Sequence, residues 1–474
     1  MPPARTVRHQ GSITLELIIA FAVASLVLTS VIMLLGSSDA LAFEREFAER
    51  SVAQELIDDA RAASTSDFAL FTSTASTSVR DRIPYYATLS AQSITPCVLE
   101  LASSATSTGG VGDGVGFSTW LADISLSQAL GGDCEYAAAT STWSGFTAQK
   151  SVAFSGTSLD ALSGYEYFGL PASPYFAIVN GVTPVTFTNG FALPTVTHAL
   201  DAAFVNGQPY VFAAVASSTQ QFAVISVQDP QSPTLAAPLR LNGITATGTD
   251  AEGYHITYFD KHAYVSTRYI IGAQPELHII DVSDPTHPFE LGSVNTDTTI
   301  NAMALRARLV NKSIRTYLYA ATTYDTRELA VYDVTDPAHV SLAQSVDLPG
   351  TQDGDSLAIQ GGTLYLGRAS NTAGPELYAF DISSSTATPR IIGSAEVASK
   401  DITALIPMGN LLFVGATNDG ASNRMLEVWD ISNPAHMTLH TALKVPGLIL
   451  GGIEYARGQV FALDASTLHT YVGN

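Results

Sequence analysis

The chain has 474 residues, of which only 14% are charged, and its formal net charge is −21. This length exceeds that of one ordinary domain, so we expect two or three folded units. Contacts to a phosphate backbone need clustered Lys and Arg, and this charge balance therefore excludes nucleic acid from the expected partners.

The N-terminus combines a short basic leader with a long apolar segment. Residues 1–11 contain no apolar core, and the apolar run starts only after Gly11. In an ordinary secretory signal the apolar region precedes the cleavage site, whereas a cut after Gly11 leaves the apolar segment on the mature protein. Leu17 to Ser38 is a run of about 22 residues without a formal charge, long enough to cross a hydrocarbon core of ~30 Å. Glu16 is the charge that interrupts the segment near its start.

The run GSITLELIIAF, from Gly11 to Phe21, resembles the N-terminal signature of type IV pilins and of the pseudopilins of secretion machines. The resemblance implies that a prepilin peptidase cuts between Gly11 and Ser12 and that the new amine of Ser12 is N-methylated. It also implies that Glu16 pairs with the N-terminal amine of a neighbouring subunit, because the two charges neutralise each other in low dielectric. Ser12 stands where family members usually carry Phe. The alternative is a simple membrane anchor.

The apolar stripe continues beyond Gly36, so we predict a transmembrane and amphipathic helix over residues 12–63. Residues 64–149 are predicted to form a small α+β pilin-like globular region. Cys97 and Cys134 lie there, and a disulfide between them would close a loop of roughly 37 residues and stabilise the fold by about 3–4 kcal/mol. Two buried free thiols are the alternative.

The second half of the chain is a repeat. The clearest copies read LHIIDVSDP at 277–285, LAVYDVTDP at 329–337 and LEVWDISNP at 426–434. Each is a strand that ends in an Asp and is followed by a turn with Asp-Pro or Asn-Pro. The repeat anchors recur every 46 to 55 residues, a spacing typical of four-stranded propeller blades, and they are Asn180, Ser226, Asp281, Asp333, Asp381 and Asp430.

These motifs resemble the LVIVD-type repeats of bacterial surface β-propellers. The last unit has three strands, and Ser151 to Phe154 would supply its fourth strand and close the ring. The predicted fold class is therefore multidomain. It comprises a leader at 1–11, a long N-terminal transmembrane α-helix at 12–63, the α+β region at 64–149 and an all-β propeller at 150–474. Seven blades are expected, with six and eight as alternatives.

The sequence contains no Gly-rich phosphate loop and no nucleophile elbow, and we predict no enzyme. The anchor Asp residues recur at equivalent turns, which favours a structural role. The histidines His255, His262, His278 and His287 fall on different strands and loops and predict no metal site. The acidic loops at 353–355 and 418–420 offer oxygen ligands for Ca²⁺, but neither has the full spacing of a calcium loop, so no cofactor is predicted.

We expect a minor pilin or pilin-like surface protein that joins or caps a filament and presents the propeller for adhesion or ligand binding. The expected partners are prepilin peptidase, other pilin subunits, membrane lipid and a surface, protein or glycan ligand. The expected localisation is the cytoplasmic membrane, with a single span and an extracytoplasmic globular part, and a surface filament after assembly. The alternatives are a pseudopilin of a type II-like secretion system and a membrane-tethered propeller enzyme.

Overall fold

The structure is a computed structural model, and the residues it describes form two compact units. The described ranges are 47–58, 74–80, 83–95, 98–107, 115–122, 142–181, 183–310, 313–370, 374–383, 388–398, 400–417, 424–445, 450–464 and 466–474. The prepilin-type positions Gly11, Ser12 and Glu16 lie outside them, as do Cys97 and Cys134.

The first unit contains a short helix and most of a four-stranded sheet, whose first two strands are antiparallel. Residues 47–58 are helical. The sheet has the order β1-β2-β3-β4 and is formed by β1 (Thr74–Arg80), β2 (Ile83–Thr95), β3 (Val98–Ser107) and β4 (Val115–Ala122). Alternate residues of β2 are buried, as expected for a sheet with one covered face.

The helix covers that buried face. Val52 and Ala53 share a hydrophobic core with Tyr85, Ala87 and Ala105 of the sheet. The backbone N–H of Ser107 donates to Glu49 Oε1 at 2.8 Å, so a helix side chain also holds the end of β3. Residues 47–122 thus contain a helix packed on one side of a small sheet.

The predicted fold class and localisation are wrong in their N-terminal part. The α-helix that the structure describes has twelve residues, 47–58, and rises only about 18 Å, short of the ~30 Å of a hydrocarbon core. No helix in the described ranges is both long and apolar enough to cross a membrane. The long transmembrane helix and the single-pass anchor in the cytoplasmic membrane are therefore corrected to a mostly β fold, with one short α-helix among the described residues.

The second unit contains seven four-stranded sheets, called blades 1 to 7. In blades 1 to 6 the four strands follow one another in chain order, each antiparallel to the last.

Blades 1 to 3 begin after β5 (Phe146–Ala153). Their strands are β6 (Ser158–Leu162), β7 (Tyr165–Gly169), β8 (Phe176–Asn180) and β9 (Thr183–Pro184); β10 (Thr197–Val205), β11 (Gln208–Val215), β12 (Phe222–Ser226) and β13 (Thr234–Leu239); β14 (Gly253–Phe259), β15 (His262–Thr267), β16 (Leu277–Asp281) and β17 (Phe289–Val294). A short 3-10 helix, Thr249–Ala251, precedes β14.

Blades 4 to 7 complete the chain. Their strands are β18 (Ile300–Val310), β19 (Ser313–Thr322), β20 (Leu329–Asp333) and β21 (Ser341–Val346); β22 (Gly354–Gln360), β23 (Thr363–Arg368), β24 (Leu377–Asp381) and β25 (Arg390–Ala395); β26 (Ile402–Met408), β27 (Leu411–Ala416), β28 (Arg424–Asp430) and β29 (Thr438–Lys444); β30 (Leu450–Ala456), β31 (Gln459–Asp464) and β32 (Thr467–Gly473). A second 3-10 helix, Pro434–His436, precedes β29.

The blades form a closed ring. The first strand of each blade contacts the first strand of the next, and β30 of blade 7 contacts β6 of blade 1. A hydrophobic core lies between every pair of neighbouring blades, including blades 7 and 1. The middle strands have apolar residues on both faces because each blade is covered on both sides, whereas the outer strands are more exposed. This unit is a β-propeller-like domain.

The last blade takes its fourth strand from the start of the domain, as the sequence predicted. β5 pairs antiparallel with β32, from Phe146 opposite Gly473 to Ala153 opposite Thr467. Just before β5, Trp143 is fully buried between blades 6 and 7, with its ring 4.9 Å from that of Phe413. The two ends of the domain are therefore held together by a strand pair and an aromatic side chain.

A side-chain pair reinforces the contact between blades 7 and 1. Arg457, in the hairpin between β30 and β31, pairs with Glu166 of β7 and donates to the Gly164 carbonyl at 3.0 Å. The Glu166 carboxylate is fully buried and also accepts from the Gly181 N–H at 3.0 Å. Burial raises the pKa of Glu166 to about 7, and Arg457 and the Gly181 N–H oppose that shift.

Replacing Arg457 by Ala should lower the free energy of unfolding by about 1–2 kcal/mol at pH 8 and by less at pH 5. Above pH 7 the carboxyl of Glu166 is ionised beside the guanidinium, whereas in the variant it must either stay buried as an unpaired charge or bind a proton. Below pH 7 the same carboxyl is protonated and neutral. Urea unfolding at both pH values measures the difference.

The matched control is Arg390→Ala, because Arg390 also pairs with a carboxylate, Asp381, at 2.9 Å but has a side chain that is 73% exposed. We expect this variant to lose about 0.5 kcal/mol or less at either pH. An Arg457→Ala loss that does not depend on pH would show that Glu166 is not the group that Arg457 neutralises.

Candidate ligand-binding face

The order of the strands decides which loops share a face of the ring. Successive strands are antiparallel, so the loops from strand 2 to 3 and from strand 4 to the next strand 1 lie on one side. The strand 1 to 2 hairpins and the strand 3 to 4 turns lie on the other. We call the first side the bulge face, for the reason given below, and the second the hairpin face.

The repeat anchors lie on the hairpin face. Asn180, Ser226, Asp281, Asp333, Asp381 and Asp430 are the last residues of the third strands of blades 1 to 6. At the four Asp anchors the carboxylate accepts a hydrogen bond from the backbone N–H two residues later in the chain, with N to O distances of 2.8 to 3.0 Å. Hydrogen bonds from the Ser383 hydroxyl and from Arg390 lower the pKa of Asp381. These carboxylates are engaged in shaping turns.

The first strands of blades 2 to 7 each carry a β-bulge at the same position. The pairing with the second strand skips one residue, for example between Thr197 and Ala199 and between Gly354 and Ser356. A bulge leaves its residue out of the ladder and redirects its side chain, which is why bulges often occur beside binding sites. The skipped residues are His198, Tyr254, Asn301, Asp355, Thr403 and Gly451.

The first five of these residues form what we call the bulge ring. Each is partly exposed, and each lies at the start of a first strand, on the bulge face. The ring combines an imidazole, a phenol, an amide, a carboxyl and a hydroxyl, a set of hydrogen-bonding groups that differs from blade to blade. Because the first strands contact one another around the ring, these side chains surround the entrance to its centre.

Two members of the ring reach the next blade. His198 Nδ1 lies 2.8 Å from the Gly253 carbonyl oxygen, and Asn301 Nδ2 donates to the Gly354 carbonyl at 2.9 Å. Asn301 Nδ2 also donates to Asp355 Oδ1 at 3.1 Å. A Cβ atom at Gly253 would come within 2.2 Å of the Gln221 carbonyl oxygen, so the close approach at that position requires glycine.

The neighbouring aromatic and charged groups extend this surface. The Arg268 guanidinium lies over the Tyr254 ring at 4.9 Å, and His198 meets the same ring edge-on at 6.4 Å. Glu252 Oε2 is 3.8 Å from His198 Nε2. A surface of this kind offers both planar apolar area and directed hydrogen bonds, the combination that recognises polar ligands.

Asp355 is the member of the ring with the most altered acidity. Burial raises its pKa to about 7, and the nearby Asp353 and Asp401 carboxylates add to the rise, while Asn301 and Arg368 oppose it. The side chain therefore gains or loses a proton near neutral pH. Its carboxyl can therefore change from a hydrogen-bond donor to an acceptor within the physiological range.

Arg368 holds the segment that carries these acids. Its side chain is fully buried and donates to the Pro349 carbonyl at 3.0 Å and to the Gln352 carbonyl at 3.1 Å, directly before Asp353. Its Nη2 also lies 3.6 Å from the buried Glu328 carboxylate of blade 4. Arg368 thus holds in place the backbone segment that leads to Asp355.

A repeated buried acceptor, which the sequence reading missed, holds the strand 4 to 1 loops. The residue just before the third strand accepts a backbone N–H from the loop that follows the fourth strand of the same blade, at 2.8 to 3.1 Å. These residues are Gln221, Glu276, Glu328 and Glu376, all fully buried. The signal was present as Glu-Leu before three repeat copies, at 276, 328 and 376.

The histidines that lie close in sequence are not brought together. His255 is on β14, His262 on β15 and His278 on β16, where His278 Nδ1 pairs with Glu290 at 3.0 Å. Burial lowers the pKa of His255 to about 4. In the described parts of the chain, no group of three or more His, Cys, Asp or Glu residues is placed to hold a metal ion. The acidic loop at 418–420 lies outside those parts.

The LVIVD repeat family model matches residues 264–296 and 409–444. Both segments run from the second to the fourth strand of a blade, blades 3 and 6, and contain the anchors Asp281 and Asp430. No curated protein matches the chain. The chain thus contains LVIVD repeats within a β-propeller-like domain.

Two solved structures are similar at low identity. The computationally designed Ika8 protein is 12% identical over 69% of this chain and 98% of its own, with a TM-score of 0.45. Sqt1 of Saccharomyces cerevisiae is 9% identical over 69% of this chain and 98% of its own, with a TM-score of 0.46.

Replacing Asp355 by Asn should make the stability of the protein less dependent on pH. The folded-state pKa of about 7 lies above the ordinary value of 3.8, so the folded state holds this proton more tightly. The contribution of the Asp355 carboxyl to the free energy of unfolding therefore falls as pH rises from about 4 to 7. We expect the difference in unfolding free energy between pH 5 and pH 8 to shrink by about 1–2 kcal/mol in the variant.

Denaturant unfolding of both proteins at the two pH values measures this difference. Asp347→Asn is the matched control, because Asp347 is an exposed carboxylate in the loop before the same blade. An Asp355→Asn protein with the same pH dependence as the unmodified protein would contradict the assignment.

Proposed function

We propose that this chain is a pilin-like surface protein that presents its β-propeller-like domain for binding, and that the ligand binds at the bulge face. The observation that carries the binding part is the bulge ring. Five partly exposed polar side chains occupy equivalent positions on one face of a closed ring, and their chemistry varies while the surrounding frame repeats. Variable side chains on a constant frame are typical of recognition surfaces.

The contacts that the bulge-ring residues make favour ligand binding over catalysis. His198 and Asn301 contact backbone oxygens of the next blade, so two of the five polar groups also hold neighbouring blades in place. The remaining groups point to hydrogen bonding with an extended polar ligand rather than to a paired acid and base. A protein or glycan surface is the class of ligand that suits this arrangement.

The pilin-like part of the proposal rests on two supports. The first is the Gly11, Ser12 and Glu16 signature, whose residues lie outside the described ranges. The second is the packing of helical residues 47–58 on a four-stranded sheet, which is the kind of contact that the pilin resemblance implies. Prepilin peptidase and other pilin subunits would then be the partners of the N-terminal segment.

The mass and the N-terminal sequence of the protein recovered from cells test the pilin-like part. We expect a start at Ser12 with one added methyl group, because the prepilin-type signature places the cut after Gly11. An intact Met1, or a cut at any other position, would contradict the pilin-like part of the proposal. The binding part of the proposal would remain.

A double variant, Tyr254→Ala with Asn301→Ala, tests the binding part. The full-length protein would be applied to an array of immobilised glycans and proteins, and the spots bound by the unmodified protein would be compared. We expect the double variant to lose at least tenfold in apparent affinity, since both residues belong to the bulge ring and a lost hydrogen bond to a buried polar partner costs about 1–3 kcal/mol.

The control for this experiment lies on the opposite face. Asp260→Ala changes an exposed residue of the β14–β15 hairpin and should leave the same spots unchanged. Urea unfolding of each variant verifies that it is folded. If the folded double variant keeps its array signal, the ligand does not bind at the bulge ring.

A further inference from the structure

Three side chains in the outer part of blade 7 are joined in series by hydrogen bonds. Ser151, on β5, lies directly opposite His469 of β32 in the antiparallel pair. Ser151 Oγ is 2.9 Å from His469 Nδ1, and His469 Nε2 is 3.0 Å from Asp464 Oδ2. A hydroxyl, an imidazole and a carboxylate in this order are the groups that activate a serine for nucleophilic attack.

The surroundings of Asp464 determine which ring nitrogen of His469 carries the proton. Asp464 Oδ1 accepts hydrogen bonds from the Ser466 and Thr467 N–H groups, both at 2.7 Å. Burial acts to raise the pKa of Asp464, but these hydrogen bonds and the one from His469 outweigh burial and lower it. An ionised carboxylate only accepts hydrogen bonds, so the proton of a neutral imidazole here lies on Nε2. Nδ1 is then the acceptor that can take the proton of the Ser151 hydroxyl.

The serine is accessible although its two partners are buried. His469 and Asp464 are only 5% and 3% exposed, whereas Ser151 is exposed. β5 is the outer strand of its sheet, and its pairing with β32 skips Gln149. Such a bulge leaves a residue out of the ladder, and backbone N–H groups released in this way can stabilise the negative oxygen that forms during attack on a carbonyl. A reactant can therefore reach the hydroxyl, and backbone donors lie close to it in the chain.

The repeated blades provide an internal comparison for this arrangement. Serines also occupy the position of Ser151 in the outer strands of blades 3, 4 and 5, and all of them are exposed. They are Ser293, Ser345 and Ser394, which lie opposite His278, Ala330 and Tyr378. His278 occupies the same position in its blade as His469, but its two ring nitrogens lie 3.0 Å from Glu290 and 3.1 Å from the Pro275 carbonyl. Among these four serines, Ser151 is the one that the described contacts join to an imidazole and a carboxylate.

We propose that Ser151 accepts an acyl group from a carboxylic ester, with His469 as the general base and Asp464 as the residue that positions the imidazole. The Ser151 oxygen attacks the carbonyl carbon while its proton passes to His469 Nδ1. The bond between that carbon and the ester oxygen breaks, and the departing alcohol takes the proton. Attack by water in the same way on the acyl ester of Ser151 releases a carboxylic acid and restores the hydroxyl.

The setting of Ser151 indicates which esters fit. Residues 147–151 are all exposed, so the site does not enclose its substrate. It suits a carboxylic ester that is small or that projects from a larger molecule. Ser151 lies on the outer strand of blade 7, whereas the residues of the bulge ring lie on first strands. The inference therefore does not rest on the proposed function.

Labelling with a fluorophosphonate tests the reactivity of Ser151 in the unmodified full-length protein. The probe phosphonylates activated serines with loss of fluoride, and the product withstands water. Mass spectrometry of the digested protein measures the rate of labelling at each serine. We expect Ser151 to react at least tenfold faster than the equivalent serines, because a positioned general base contributes about 10²–10⁴-fold. The equivalent serines are Ser293, Ser345 and Ser394.

Hydrolysis of p-nitrophenyl acetate tests the roles of the base and of the positioning residue. We expect Ser151→Ala, His469→Gln and Asp464→Asn each to lower the rate at least tenfold, and the control Ser293→Ala to leave it unchanged. In the unmodified protein the rate should rise with pH as the imidazole loses its proton. That rise should be absent from the His469→Gln protein. Urea unfolding verifies that each variant is folded.

Equal labelling rates at Ser151 and at the three equivalent serines would overturn the proposal and would leave the contact with His469 a purely structural one. This comparison uses the unmodified protein, so it holds even if a variant does not fold. Unchanged ester hydrolysis in a folded Ser151→Ala protein would overturn the proposal as well. None of these outcomes bears on processing at Ser12 or on ligand binding to the array.

Discussion

The pairing of β5 with β32 is the contact on which the ring depends. Without it blade 7 would have three strands, and the outer edge of β32 would be left unpaired. With it, residues separated by more than three hundred positions are adjacent, as when His469 Nδ1 meets Ser151 Oγ at 2.9 Å. Trp143, between blades 6 and 7, and the Arg457–Glu166 pair, between blades 7 and 1, add contacts on the two sides of blade 7. Closure converts a row of sheets into a ring with a hydrophobic core on both sides of every blade.

Closure of the ring also determines the amino-acid composition of the middle strands. In β16, Leu277, Ile279 and Ile280 are fully buried, because the strand lies between two neighbouring blades rather than on one exposed face. Polar residues inside this layer need partners within it. His278 pairs with Glu290 at 3.0 Å, and Lys400 Nζ pairs with Glu427 at 2.8 Å, with both partners of each pair buried. Each pair lies within one blade, and removing one partner would leave the other buried without its partner.

The two faces of the ring divide structural from recognition roles. On the hairpin face the anchor carboxylates accept hydrogen bonds within their own turns, as Asp430 does from the Ser432 N–H at 2.9 Å. On the bulge face the repeated positions carry a different side chain in each blade, from His198 to Asp355. Buried acceptors such as Glu376 hold the loops beneath these side chains. The repeated turns and buried acceptors can therefore support side chains on the bulge face that differ from blade to blade.

The sequence alone determined the features that depend on local order. Strand patterns, the Asp-Pro turns and the spacing of the anchors follow from short-range preferences, and the missing fourth strand of the last blade identified residues near Ser151 as its partner. The N-terminal prediction of a long helix was wrong, because the described helical residues, 47–58, pack on a sheet and rise only about 18 Å.

Only the tertiary structure decided the rest. The bulge ring depends on a one-residue shift in pairing that leaves no mark on the hydrophobic pattern, so His198, Tyr254 and Asn301 could not be grouped from the chain. The raised pKa of Asp355 arises from burial, from the neighbouring Asp353 and from Asp401, which precedes the first strand of the next blade. These properties come from contacts between residues far apart in sequence, which is why local patterns determined the blades and the packing between blades determined the site.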